Sequence, residues 1–247
     1  MPKYRKKIWS GDVYEVEEYF SPRTIGKNYE KSLPAGATSE EQALRNLKIA
    51  RKKLTRLINT NFNCNDYFVV LTYDKNISLE ESRKALANFF RRLKRYRIKN
   101  GYSPLKYISV TEIENRIHHH VLINNLNKLP VKEVTEILFK LWGNGLVFIK
   151  KLFKGQTQEK LANYITKENI SPNAKRWSQS RNLKQPKIKV EEIKGKSRKL
   201  KAPKGYSIIY NIENYYTEIG YLRYLKAIKT GKVDLAIDNE NIEELII

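Results

Sequence analysis

The chain has 247 residues, 40% of them hydrophobic, with 48 Lys and Arg against 26 Asp and Glu and a formal net charge of +22 at pH 7. That length supports one large domain or one domain with extensions, and the apolar content excludes a disordered chain. A single cysteine, Cys64, excludes a disulfide framework and a cysteine zinc cluster, and it reads as an inert, partly buried side chain.

No apolar run approaches the ~20 residues of a membrane helix, and the N-terminal segment lacks the apolar core of a signal peptide. The expectation is therefore a reducing cytoplasm and no membrane partner. A charge of this size needs a polyanion, and nucleic acid is the usual one, although charge says nothing about catalysis.

Taken in chain order, Lys7 to Tyr19 predicts one or two strands about a Ser10-Gly11-Asp12 turn. Thr38-Ser39 before Glu40-Glu41 starts a helix to about Ile58. It carries an apolar stripe (Leu44, Leu47, Leu54, Ile58) and a basic face (Arg51, Lys52, Lys53, Arg56), the latter serving equally for solvation or DNA contact. Tyr67–Tyr73 is a buried strand, and Ser78 caps a helix to about Arg97. Lys106–Glu112 and Ile117–Ile123 are strands joined so tightly that they pair antiparallel. Pro130 opens a helix to Leu141 or Trp142, ended by Gly143 and Gly145, and Leu146–Leu152 is a strand. A helix from Gln156 to Asn169 carries Tyr164. Residues 175–204 read as a basic arm or extended loop, Tyr206–Tyr210 as a strand, Ile219–Ile228 as a short helix, and the acidic tail as weakly structured. The sum is an α+β fold: a central, mostly antiparallel five-stranded sheet flanked by helices. The expected organisation is 1–60 as N-terminal strands and basic helix, 61–185 as the core, and 186–247 as basic arm, C-terminal strand and helix, and acidic tail.

The chemistry concentrates in one strand. All three histidines are consecutive, His118, His119 and His120, within the apolar run IHHHVLI. Alternation sends His118 and His120 to one face and His119 to the other, so two imidazoles can grip one ion. If Glu114-Asn115-Arg116 is a three-residue hairpin loop, Glu112 stands opposite His118 and Val110 opposite His120. Glu112 then completes a two-histidine, one-carboxylate set, with Glu114 the alternative if the register slips. Mixed nitrogen and oxygen ligands suit a divalent metal, Mn²⁺ or Mg²⁺. On the later helix, Tyr164 and Lys167 share a face, with Lys160 one turn earlier. Lysines beside a tyrosine hold a phosphate and favour the phenolate, so such a tyrosine can attack a phosphodiester. At helical spacing alone, a tyrosine is more often a packing residue.

The ordered set FVVLTYD, VTEIENRIHHHVLIN and LANYITKEN resembles the three motifs of the HUH endonucleases, closest to the rolling-circle replication initiators of plasmids and small phages. The resemblance covers about residues 65 to 185, and the stretch Arg176 to Leu183 resembles the segment after the tyrosine helix in phage initiators. It implies a metal held by His118 and His120 with Glu112, attack by Tyr164 to leave a 5′-phosphotyrosine and a free 3′-OH, and charge neutralisation by Lys167 and Lys160. Arg116, Arg176, Arg181 and Lys184 would hold single-stranded or hairpin origin DNA in a bacterial host cytoplasm. Two departures stand out: the middle residue of the histidine motif is His119 rather than an apolar one, and Glu168 stands where a second tyrosine would be. The second favours a single-tyrosine enzyme. No G-x-x-x-x-G-K-[ST] motif occurs, so the partners implied are a separate host helicase and a host polymerase. The rival readings are a single-tyrosine transposase or relaxase, a metal-dependent nuclease using water, and a non-catalytic DNA-binding protein on the same fold. The length suits an initiator best.

Overall fold

Among the described residues, six short runs in the first 151 residues and four in the last 70 adopt extended backbone, and their pairing divides them into two sheets. The structure, a computed structural model, describes residues 2–21, 40–113, 115–126, 129–152, 158–165, 177–195, 199–213 and 221–230. Among these, the strands are β1 (Lys3–Ser10), β2 (Val13–Phe20), β3 (Tyr67–Leu71), β4 (Tyr107–Glu112), β5 (His118–Ile123), β6 (Val147–Lys151), β7 (Ser178–Gln179), β8 (Lys187–Glu192), β9 (Tyr206–Glu213) and β10 (Tyr221–Lys229). The helices are α1 (Glu40–Asn61), α2 (Leu79–Lys99), α3 (Val131–Trp142) and α4 (Glu159–Ile165).

The central sheet has the order β6-β3-β5-β4-β7 and is antiparallel throughout. Together with its helices it is the α+β arrangement expected from the sequence. The interior strand β3 is covered on both faces, which is why it (YFVVL) reads as a continuous apolar run. One face packs Tyr67, Val69, Leu71, Val121 and Ile123 against Leu86, Phe89 and Leu93 of α2 and Val134, Leu138 and Trp142 of α3. The other packs Ile108, Val110 and Leu122 against Leu54, Leu57 and Ile58 of α1 and Ala162 and Ile165 of α4. Each such fully buried side chain contributes roughly 1.5–3 kcal/mol. Helix α2 begins with a reciprocal capping box, the Glu81 amide donating to Ser78 Oγ (3.2 Å) and the Ser78 amide to Glu81 Oε2 (3.0 Å). Helix α3 follows Pro130 and ends at Gly143 in the left-handed conformation (φ 62°).

The second sheet, order β8-β1-β2-β10-β9, is built from the two ends of the described chain. Three sequence expectations change here. Residues 221–229 form a strand instead of a helix, because Tyr221–Ile228 pairs with Val13–Tyr19 and Arg223–Lys229 with Tyr206–Glu213, and distant partners override helix propensity. Within the basic arm, Lys187–Glu192 is an edge strand against β1, its charges alternating along KIKVEE. The basic face of α1 is partly internal: Arg56, 8% exposed, donates to Glu15 Oε2 (2.7 Å) and to Glu17, and Lys52 Nζ lies 2.6 Å from Glu17. Gly11, at φ 59° in the β1–β2 turn, lets that turn press on the end of α1, where an added Cβ would fall 2.0 Å from the Asn59 carbonyl oxygen. Thus α1 has an apolar side on the central sheet and an ionic side on the second.

Candidate metal centre

Strands β4 and β5 are neighbours in chain and sheet, so their register decides which side chains meet. Glu112 pairs with His118 and Val110 with His120. Glu114, the alternative carboxylate, lies outside the described residues. The ligand atoms of Glu112, His118 and His120 lie within 4.8 Å of one another. His118 Nε2 is 3.1 Å from His120 Nε2, and Glu112 Oε2 is 3.2 Å from the first and 3.0 Å from the second.

The orientation of His118 is set by its other nitrogen. Its Nδ1 lies 2.8 Å from the Arg116 carbonyl oxygen, which can only accept, so Nδ1 carries the proton and the neutral ring keeps its Nε2 lone pair for the shared centre. A lone pair and a carboxylate oxygen turned toward a second imidazole nitrogen at this spacing repel unless a proton or cation lies among them. The donor set fits a divalent cation. Separations of 3.0–3.2 Å are short enough for one ion to touch all three groups. The three groups could hold such an ion while leaving the remaining positions to other ligands.

His119 points the opposite way and has a different use. It is fully buried, with Nε2 2.7 Å from the Tyr73 hydroxyl and Nδ1 2.9 Å from Thr111 Oγ1. Burial, then the neighbouring His118 and His120, push it down to about 3, so it is a neutral hydrogen-bonding group. Burial likewise holds the Tyr73 phenol above its ordinary range. A strand histidine between two apolar faces is tolerated because both nitrogens are satisfied.

Helix α4 crosses the face that carries His118 and His120. The ring of Tyr164 meets that of His120 edge to face at 5.3 Å, and that of Phe68 at 6.3 Å. Phe68 in turn stacks on His120 at 5.6 Å with an 11° interplanar angle. The phenol and an imidazole 44 positions apart in the chain are therefore packed as neighbours. The helix is tethered where it starts: the Gln158 amide donates to Asn59 Oδ1 (3.0 Å) and Lys226 Nζ lies 2.5 Å from Glu159.

Of the other residues singled out by sequence, Lys160 is exposed on α4 one turn before Tyr164. Arg116 is exposed and its guanidinium donates to the Tyr73 carbonyl. Lys184 is exposed, its backbone held in both directions by the Asn61 side chain. Arg181 lies away from this cluster, on a groove under α2. Lys167 and Arg176 fall outside the described residues. Phe68 opens the first motif, and its parity on a strand adjacent to β5 puts it on the histidine face, a contact the motif alone does not reveal. The Tyr73–His119–Thr111 set gave no signal, because it joins three strands or loops.

Residues 66–169, which span β3 to α4 and hold Glu112, His118, His120 and Tyr164, match the family model described as Replication-associated protein ORF2/G2P. No curated protein matches the chain. Among solved structures it is similar to the hypothetical protein ORF119 from Sulfolobus islandicus rod-shaped virus 1, with 21% identity over 48% of this chain and 92% of that one and a TM-score of 0.33.

Proposed function

We propose that this chain is a replication initiator that nicks single-stranded origin DNA with Tyr164 and remains covalently attached. The observation that carries the reading is the contact of Tyr164 with His120, a member of a three-ligand centre, within the segment similar to the replication-associated family. Glu112, His118 and His120 would hold a divalent ion, Mn²⁺ or Mg²⁺, and that ion would supply Lewis-acid polarisation of a phosphate.

The chain's own residues do the rest. Phe68 and the edge of His120 hold the Tyr164 ring on the sheet face, so little of its freedom is lost on attack. The phenol passes its proton to solvent as its oxygen bonds to phosphorus. The P–O3′ bond breaks, the departing oxygen takes up a proton, and a 3′-OH and a 5′-phosphotyrosine result. Lys167, with Lys160, neutralises charge on the phosphorus oxygens. The 3′-OH primes a host polymerase for rolling-circle synthesis, and a separate host helicase opens the duplex. Arg116, Arg176 and Lys184 bind the strand, and Arg181 meets it only beyond the centre, in the groove under α2. The enzyme acts in the host cytoplasm.

The test is incubation with a labelled single-stranded oligonucleotide and Mn²⁺, followed by denaturing electrophoresis. A protein–DNA band that survives denaturation is expected with the native chain and absent with EDTA or with Tyr164→Phe. Cleavage that persists in Tyr164→Phe would assign the centre to water-based hydrolysis.

A further inference from the structure

The face of the central sheet opposite the histidine centre is not wholly covered by helices. Between α2 and the β4–β7 edge runs a groove of about 1140 Å³, larger than the ~300–1,000 Å³ of ordinary small-ligand sites and so suited to a length of chain. Its composition is uneven in charge. Arg83, Arg91 and Lys94 line the helical wall at spacings that put them on one face, and Arg181 lines the opposite wall. No acidic residue is among the lining residues described. The fifth cation there, Arg97, is 1% exposed and is committed to the Ser103, Asn124 and Asn125 carbonyls.

The floor is aromatic and contains an unanswered polar group. Phe90 and Tyr107 stack at 3.8 Å with a 14° interplanar angle, and exposed Ile113 stands at the rim, whereas Trp177 packs on the core of the histidine face. Ser109, 3% exposed, lines the groove, and its hydroxyl has no hydrogen-bond partner among the described residues. A buried hydroxyl left unpaired is costly, and a ligand edge that bonds it removes the cost. Cations along a wall, π-faces on the floor and a lone polar group between them form the combination that binds unpaired nucleotides: phosphates on the charges, bases against the rings.

We propose that this groove is a second single-strand DNA site, which seats unpaired bases against the Phe90–Tyr107 stack while Arg83, Arg91, Lys94 and Arg181 take the phosphates. The choice of DNA rests on the function proposed above; the site itself needs neither the metal nor Tyr164. A strand cut on one face of the sheet would thereby be held on the other, so that the ends do not diffuse apart.

The experiment measures fluorescence anisotropy of a labelled 20-nucleotide single strand on the full chain in EDTA, so that cleavage plays no part. Arg91→Ala/Lys94→Ala is expected to weaken binding by about tenfold, and to lower the salt slope by about 1.4, the share of two phosphate contacts on a single strand. A strand of the same length carrying abasic sites is expected to bind the native chain about tenfold more weakly than the normal strand. Ala87→Glu, at an exposed helix position in the groove, should weaken binding with the melting temperature unchanged, and serves should the double variant fold poorly. Equal binding by the variants, equal binding of normal and abasic strands, or tighter binding of the corresponding duplex or RNA would each overturn the proposal. The strand-cleavage assay is scored separately: lost cleavage with intact groove binding sinks only the nicking mechanism, and the reverse sinks only the groove.

Discussion

The two sheets have the same number of strands and the same antiparallel pairing, yet they are held by opposite chemistry. The core of the central sheet is apolar on both faces, its polar side chains gathered on β4, β5 and β7. The second sheet buries acids. Glu18 is fully buried between Arg5 and Arg223 on the flanking strands, and Glu15 and Glu17 face Arg56 and Lys52 of α1. A sheet made of apolar side chains tolerates an ionisable site on its surface, because its stability resides elsewhere. A sheet whose interior is ionic loses stability with each partner removed. The difference teaches where activity and stability can be separated by mutation.

The largest expected effect separates them on the central sheet. His120→Ala removes a group of the proposed metal centre, and adduct formation should fall by more than about a hundredfold, since even residues that only orient metal ligands are worth ~10–100-fold. The native chain should also be stabilised by Mn²⁺, by about 2.7 kcal/mol at a hundred times the dissociation constant, and His120→Ala should not. Thermal melts with and without the ion check both statements. A melt that responds to Mn²⁺ equally in both proteins would break the assignment of the centre.

On the second sheet the next effect is on folding. Arg56→Met leaves Glu15 and Glu17 buried without their main partner, a loss of about 3–5 kcal/mol for such a broken buried pair, read from the urea midpoint. The pH dependence gives the sign. Burial works to raise the Glu15 and Glu17 carboxyls, but the charge and hydrogen bonds of Arg56, with help from Lys52, outweigh it and hold both below the ordinary range. Folded values below the unfolded ~4.3 give stability that is complete above that pH and lost as pH falls through the folded values. In Arg56→Met burial dominates at Glu15, the folded value rises above the unfolded one, and the sign reverses: stability should be regained on going from pH 7 toward pH 5. Denaturant midpoints at those pH values check it.

The same contrast explains what could be read from the sequence. The strands of the central sheet are local apolar runs, and their key pairing is a hairpin. Alternation and loop length therefore sufficed to set Glu112 opposite His118. Tyr164 on the histidine face followed only from the resemblance, because spacing within a helix says nothing of what the helix crosses. The second sheet was legible only in part: the β1–β2 hairpin and β9 were expected as strands, but β8, β10 and the pairing of the two chain ends were not, and the reason is physical. Its strands are charge-rich, and the partners that make Glu18 or Lys226 intelligible stand 205 and 67 positions away in the chain. A run such as YLRYLKAIK has the composition of a helix until β2 and β9 are set beside it. The basic face of α1 escaped likewise: Lys52 and Arg56 look solvated unless the acids of β2 are known to lie beneath them.

The smallest expected effect asks whether the two sheets are coupled. Lys226 of β10 meets Glu159 in the first turn of α4 at 2.5 Å, and Asn59 of α1 accepts the Gln158 amide just before it. Both contacts fix the start of the helix that presents Tyr164. Glu159 is 56% exposed, so solvent screens the ion pair, and Glu159→Gln should cost less than about 1 kcal/mol of stability. If the second sheet serves only to complete the fold, the nicking rate should change no more than that. If it positions α4, the rate should drop by several fold at unchanged melting temperature. Positioning effects of this size arise because a displacement of about 1 Å at a reacting atom lowers a rate far more than it lowers stability. Lys226→Gln should then lower the rate to the same degree, and the double variant should be no slower than either single one, since both remove one contact. Additive losses in the double variant would show that the two residues act on α4 separately and that the ion pair is not the link between the sheets.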